Sequence, residues 1–198
     1  MKTSTHSKAL IATRNIVLCG LFTALSAVLG GALAARVPLL GSYNLRISFA
    51  IVPCILAGLL LGPLYGFAVG FLADMVTSLV FPTGYSYLPI YSVTMGCMGM
   101  MPALLAPLFS RMLRLGKEHF LVLLPSVLLS QILFSTLANT AINTWLMLST
   151  TSDSFTVIFA GLIIGRSTSL LLVPFHAFFC AVIARVYHKA IPSVRSLV

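Results

Sequence analysis

The chain has 198 residues, of which 59% are hydrophobic, and only 12 basic and 3 acidic side chains, a net charge of +9. Charged residues make up 8% of it, against about 25% in a soluble globular domain, which is too little polar surface for a soluble protein and too much hydrophobicity for a disordered chain. A polytopic membrane protein remains: at roughly 20 apolar residues per span the chain holds at most about eight spans, and five or six once loops are counted.

In chain order, the first apolar helix is expected at about 12–35. Its basic start (Lys2, Lys8, Arg14) and the small residues Ala32-Leu-Ala34 imitate a secretory signal. The run from Ile16 to Ala35 is longer than a signal core, however, and leads into further apolar segments, so it reads as a retained span. A loop follows from Arg36 to Arg46, with Pro38, Gly41 and Asn44 as breakers. The second and third helices are expected at about 47–61 and 64–80, divided by Gly62-Pro63. The stretch Phe81-Pro-Thr-Gly-Tyr-Ser-Tyr-Leu-Pro89 separates the third from a fourth helix at about 89–110. A basic segment with Arg111, Arg114, Lys117, Glu118 and His119 precedes a fifth at about 120–148. A polar linker with Asp153 precedes a sixth at about 156–188, kinked near Pro174. Helices are the default because a span must satisfy its own backbone, and no period-two alternation argues for a barrel. The expectation is an all-α integral membrane protein, one domain over 1–198, with six transmembrane helices.

With six spans and a cytoplasmic N-terminus, Lys2, Lys8, Arg14, Arg111, Arg114, Lys117, Arg185, Lys189 and Arg195 lie inside. That is nine of the twelve basic residues, as the positive-inside rule requires, and it puts both termini in the cytoplasm. This placement explains the net charge better than nucleic acid does; no basic, aromatic-interleaved stretch exists to bind one. The four cysteines (Cys19, Cys54, Cys97, Cys180) sit in apolar runs without a CxxC pair, so they read as packing residues rather than a zinc site or disulfide frame. No cofactor or metal is indicated.

Catalytic signatures are absent: no HExxH, GxSxG, Walker A or glycine-rich dinucleotide loop. His176 is the only intramembrane histidine and reads as a helix-to-helix hydrogen bond rather than a proton relay. With Asp74, Glu118 and Asp153 the only acids, paired-carboxylate catalysis and ion-coupled pumping both lack raw material. Polar residues gather instead in the outer half: Arg36, Asn44, Arg46, Asp74, Thr77, Ser78, Thr83, Tyr85, Tyr87, Tyr91, Asn139, Asn143, Trp145 and Arg166. Flat apolar walls with a few fixed polar groups suit a ligand pocket. An interfacial aromatic belt remains open for the tyrosines and Trp145, snorkelling for Arg36 and Arg46, and a structural partnership for Asp74. Arg166, deep in its helix, points to a pocket or pore. Small residues recur at Gly58, Gly62, Gly66 and Gly70, and at Gly20, Ala24, Ala27 and Gly31. They serve either packing within the bundle or docking of another membrane subunit.

Certain motifs are familiar: Asn44-Leu-Arg46-Ile-Ser-Phe49, Leu61-Gly-Pro-Leu-Tyr-Gly66, Leu72-Ala-Asp74, Phe81-Pro-Thr-Gly84, Tyr87-Leu-Pro89, Ile142-Asn143-Thr144 and Gly165-Arg166 followed by Pro174. Over nearly its whole length the sequence resembles the substrate-binding S components of energy-coupling factor (ECF) vitamin transporters, in particular the folate family. The resemblance implies a six-helix bundle in a prokaryotic plasma membrane that binds a vitamin near its outer face. It implies no ATPase of its own; a transmembrane coupling subunit and two ATP-binding subunits supply power. Docking on them is expected through the small-residue face of the first helix, Gly20, Ala24, Ala27 and Gly31, where the usual first alanine is glycine.

Two departures stand out. The family's loop after its Phe-Pro-Thr-Gly has one residue inserted here, and its glycine has become Ile90. Trp145 follows Thr144 directly instead of one residue later, which turns the ring by about 100° on a helix. The substrate set carried over is Arg36, Arg46, Asp74, Phe81, Tyr85, Tyr87, Asn143, Trp145 and Arg166. For folate, Asp74 or Asn143 suits the pterin edge, Trp145, Tyr85 and Tyr87 suit the flat rings, and Arg46, Arg36 and Arg166 suit the glutamate tail. The alternatives are an S component for another vitamin, such as pantothenate or riboflavin, or a small self-sufficient secondary transporter.

Overall fold

The computed structural model describes residues 2–33, 35–39, 43–81, 87–148 and 154–190. Tyr85 with its loop neighbours 82–86, the polar linker at 149–153 and Arg195 lie outside the described residues. Eight α-helices and one hairpin appear in the order α1 (Lys2–Gly31), β1 (Ala35–Leu39), β2 (Tyr43–Ile47), α2 (Ile51–Leu61), α3 (Pro63–Val80), α4 (Pro89–Leu113), α5 (Phe120–Ser130), α6 (Asn139–Leu148), α7 (Phe155–Ser167) and α8 (Val173–Ala190). A π-helical stretch, Gln131–Ala138, joins α5 to α6, and a 3-10 turn, Thr168–Leu172, joins α7 to α8. The fifth and sixth expected helices are therefore one membrane segment each, with an internal change of winding. Among the described residues, five stretches are long and apolar enough to cross a membrane: Ala12–Gly31, Pro63–Val80, Pro89–Leu113, Phe120–Leu148 and Phe155–Lys189.

The sixth segment, α2, differs. Its 11 residues span about 16 Å, half of a 30 Å hydrocarbon core. It survives because it is enclosed: Cys54, Ile55 and Ala57 are fully buried, and nine of its residues are buried. The expected start at 47 is thus too early. The chain reaches α2 through an antiparallel hairpin, where a loop was expected between Arg36 and Arg46. Leu39 pairs with Tyr43 and Ala35 with Ile47, so residues 40–42 connect the strands. Open strand edges are not tolerated against lipid, and β2 lies against α7 and the 3-10 turn.

The helices α2, α3 and α4 are held together by glycines rather than by large side chains. A Cβ on Gly66 would stand 2.7 Å from the Cα of Gly58 and 2.7 Å from the Gly99 carbonyl oxygen. One on Gly70 would stand 2.6 Å from the Met95 oxygen, and Gly96 meets Phe67. Backbones touch directly, which is how helices attract in lipid, where no hydrophobic force drives them together. The four-residue glycine repeat is therefore a packing seam inside the bundle. Gly62 ends α2 at φ +120°, a conformation open to glycine, and Pro63 starts α3 where its missing N–H costs nothing. Around this trio, Val122, Leu123 and Val127 of α5 and Val173, Ala177, Cys180 and Ala184 of α8 complete the core. All four cysteines are free thiols.

Arg111, Arg114 and Lys117 at the α4–α5 turn are exposed, as are Arg185 and Lys189 on α8. They share the end of the bundle from which α1 enters, which makes that end cytoplasmic. Glu118 and His188 lie 3.4 Å apart there, tying the turn to α8.

Candidate functional site

The polar side chains inside the bundle gather towards its outer end. Asp74 lies six residues before the end of α3, about 9 Å along the axis. Ser92, in the first turn of α4, donates to Asp74 Oδ2 at 2.8 Å, and the Tyr87 hydroxyl lies 2.8 Å from the same Ser92 oxygen. These three form one chain from the entry of α4 to α3.

A second group joins α4 to α6 and α7. The Tyr91 hydroxyl donates to Asn143 Oδ1. The Thr94 hydroxyl lies 2.8 Å from Asn139 Oδ1 and 2.8 Å from the Tyr91 carbonyl. Arg166 on α7 donates through Nη1 to the Ser135 carbonyl at 3.1 Å, and it is close enough to Tyr91 for the two to interact electrostatically. The helix supplying Asn139 and Asn143 carries two polar ridges at four-residue spacing: Ser135, Asn139 and Asn143, and beside it Thr136, Thr140 and Thr144. Such spacing stacks side chains on one face. The second ridge is buried, and the Thr136 and Thr140 hydroxyls have no partner among the described residues. The wide turns lie directly below, in keeping with the tendency of π-helix to occur at functional sites.

His176 on α8 is buried against Phe49, edge to face, with Nε2 3.1 Å from the Ser48 carbonyl. A carbonyl only accepts, so Nε2 carries the proton. The bond ties α8 to the backbone between β2 and α2 rather than to another helix's side chain. From the other side, α1 holds the same segment: Ser26 donates to the Ala50 carbonyl at 2.6 Å and Ser48 to the Leu29 carbonyl at 3.4 Å. The exit of the hairpin is thereby fixed to the bundle.

Of the substrate residues expected from sequence, Asp74 and Tyr87 come together in the first group, and Asn143 and Arg166 in the second. Arg36 and Arg46 are directly opposed in the hairpin register. Phe81 does not join them; its ring fills the space over Gly31, where a Cβ would stand 2.1 Å away. Trp145 is 75% exposed, whereas Thr144 beside it is fully buried. The 100° turn noted in the sequence thus carries the indole out of the bundle, and Tyr85 lies outside the described residues. Ser92 and Thr94 were missed. A serine or threonine in a membrane helix gives no compositional signal of what it bonds to. Tyr91 and Asn139 were noted as outer polar residues but not as members of a site. On α1, Gly20 and Ala24 are exposed, with no atom near a Cβ on Gly20, while Ala27 is buried and Gly31 covered by Phe81.

Among the described residues no group of three metal-ligating side chains occurs. The arrangement offers a carboxylate, two amides, tyrosine hydroxyls and an arginine, which is equipment for binding rather than for covalent chemistry. A family model described as the ECF-type riboflavin transporter, S component, matches residues 10–186. A solved chain described as the S component of a bacterial ECF transporter superposes with a TM-score of 0.64 at 19% identity, over 90% of this chain and 98% of the other. At that identity the likeness speaks for the fold. No curated protein matches the sequence.

Proposed function

This chain belongs to the family of S components of ECF-type riboflavin transporters; we propose that the vitamin it binds is folate, held between the outer parts of α3 and α4 and the facing sides of α6 and α7. The S component is a multi-pass plasma-membrane transport subunit and not an enzyme. It binds a vitamin and works with a transmembrane coupling subunit and ATPase subunits.

The observation that carries the folate reading is Asp74, a carboxylate set among the polar groups of the site and oriented by Ser92. An ionised carboxylate only accepts hydrogen bonds. The pterin edge of folate presents a ring N–H beside an amino group, two neighbouring donors that a carboxylate meets in parallel. The flavin edge presents one N–H between two carbonyls, and its oxygens would face the carboxylate's. Asn143 supplies an amide for the remaining ring atoms. Arg36 and Arg46, opposed on the hairpin, are assigned to the two carboxylates of the glutamate tail.

Riboflavin is the second reading, favoured by the family whose model the sequence matches. Calorimetric titration of the purified chain with each vitamin separates the two. Saturable folate binding that falls at least about thirtyfold in Asp74→Asn, the loss of charge-assisted bonds, supports folate. Riboflavin binding with no heat from folate removes the folate claim and leaves the family standing.

A further inference from the structure

We propose that Ser92 is the positioning residue of the vitamin site: it fixes the orientation of the Asp74 carboxylate and links that orientation, through Tyr87, to the segment entering α4. The proposal rests on the reading above that Asp74 meets the vitamin.

Ser92 is fully buried, so it does not touch a ligand itself. Its hydroxyl has one hydrogen and two lone pairs. The hydrogen goes to Asp74 Oδ2, which can only accept, at 2.8 Å. The Tyr87 hydroxyl at 2.8 Å must then be the donor to Ser92 Oγ. The chain is therefore polarised in one direction, from Tyr87 to Ser92 to Asp74, and each bond strengthens the next. Three parts of the fold meet in it: the residues just before α4, the first turn of α4 and the outer part of α3. Tyr87 stands two residues ahead of Pro89, whose fixed φ at the helix start holds the entry of α4. A buried donor on one oxygen limits the turning of the Asp74 carboxylate about its last bond, so the loss of that donor changes how the group is presented. Displacement of Tyr87 removes the outer link and leaves the Ser92–Asp74 bond in place. The two links are therefore separable by mutation.

The test is equilibrium binding of folate to the full chain in detergent, with melting temperature measured beside it, for Ser92→Ala, Ser92→Thr, Tyr87→Phe and Asp74→Asn. A parent chain that binds riboflavin and not folate overturns the proposal, because the flavin edge offers the carboxylate no pair of donors. Ser92→Ala is expected to weaken binding about tenfold or more, the loss of one hydrogen bond to a charged group. Ser92→Thr, which keeps the hydroxyl, restores binding to within about threefold. Tyr87→Phe gives a smaller loss than Ser92→Ala, and the double variant loses no more than Ser92→Ala alone. A purely packing role predicts the reverse order, since alanine fits the serine space and threonine adds a methyl to a closed site. Should threonine prevent folding, Tyr87→Phe and the double variant still decide, because neither adds volume. Parental affinity in Ser92→Ala together with a weakened Asp74→Asn overturns the role of Ser92 and spares Asp74. Parental affinity in Asp74→Asn overturns both.

Discussion

Gly70→Ala tests at once whether the seam between α3 and α4 carries stability and whether it carries vitamin binding. An alanine Cβ there would lie 2.6 Å from the Met95 carbonyl oxygen and 3.0 Å from both the Met95 carbonyl carbon and the Gly96 Cα. All three are backbone atoms of α4, so no side chain can swing away. Restoring an ordinary contact requires the helices to part by nearly 1 Å. A gap of that size forfeits a quarter to a half of each contact across the seam, and overpacking of this kind costs about 1–3 kcal/mol. For a chain of this length that lowers the melting temperature by roughly 2–12 °C. Gly70 sits one turn below Asp74, and Met95 one turn below Ser92. The Asp74–Ser92 distance of 2.8 Å then stretches beyond the limit of a hydrogen bond, and vitamin affinity falls about tenfold or more. Thermal unfolding in detergent followed by light scattering, with calorimetric titration beside it, reads both effects. Gly20→Ala, with no atom within 4 Å of the new Cβ, is the control: it leaves vitamin affinity unchanged and does not lower the melting temperature, since alanine is the better helix former. A Gly70→Ala chain that melts within about 1 °C of the parent would refute the backbone-contact reasoning.

Other variants probe the remaining assignments. Trp145→Phe should leave vitamin affinity within about twofold by calorimetry, because the indole lies outside the bundle; a tenfold loss would place it in the site. Ala24→Leu should abolish uptake by the assembled transporter in vesicles while the isolated chain binds vitamin as before; loss of binding by the isolated chain would count against a docking role. In Arg36→Gln with Arg46→Gln, folate affinity should fall by more than tenfold, while affinity for a pterin without the glutamate tail stays unchanged. Equal losses for both ligands would detach the arginines from the tail. Maleimide should modify Cys19 and Cys97 of the folded chain well before Cys54 and Cys180, which are fully buried. Equal rates would contradict the enclosure of α2.

The membrane segments were legible because a span in lipid must be a continuous apolar helix, and that demand is written residue by residue. The hairpin was not. Its strands are five residues each and contain Pro38 and Asn44, which locally favour a loop. The pairing is stabilised by what lies around it: β2 against α7 and the 3-10 turn, and the exit clamped by Ser26, Ser48 and His176. The π-helical stretch was equally hidden, since Gln131–Ala138 has nothing in its composition to disfavour an ordinary helix. The glycine repeat showed where backbones come close, but not to what. The answer was Gly96 and Gly99 of α4, which looked like mere small residues. For the site, the clustering of polar residues in the outer half was visible, yet the bonds within it depend on contacts between segments distant in sequence. Asn143 with Tyr91 and Asp74 with Ser92 are two such cases.

Packing divides the small-residue ridge of α1 into a covered half and an open half. Gly20, Ala24, Ala27 and Gly31 lie along the border of the helix's inward stripe. Near the outer end α1 is drawn into the bundle: Ser26 bonds the Ala50 carbonyl, a Cβ on Gly30 would stand 3.1 Å from that of Ala50, and Phe81 covers Gly31. Nearer the cytoplasmic end the same border is open at Gly20 and Ala24, between the exposed Val17, Leu21 and Val28. The polar groups Asp74, Tyr87 and Asn143 belong to the outer end, and the open small residues to the inner half. A partner seated on Gly20 and Ala24 therefore touches none of the polar site directly. What lies between is the trio α2, α3 and α4, in backbone contact at Gly58, Gly66, Gly70 and Gly99, where an extra methyl finds no room. Packing that tight resists internal shear.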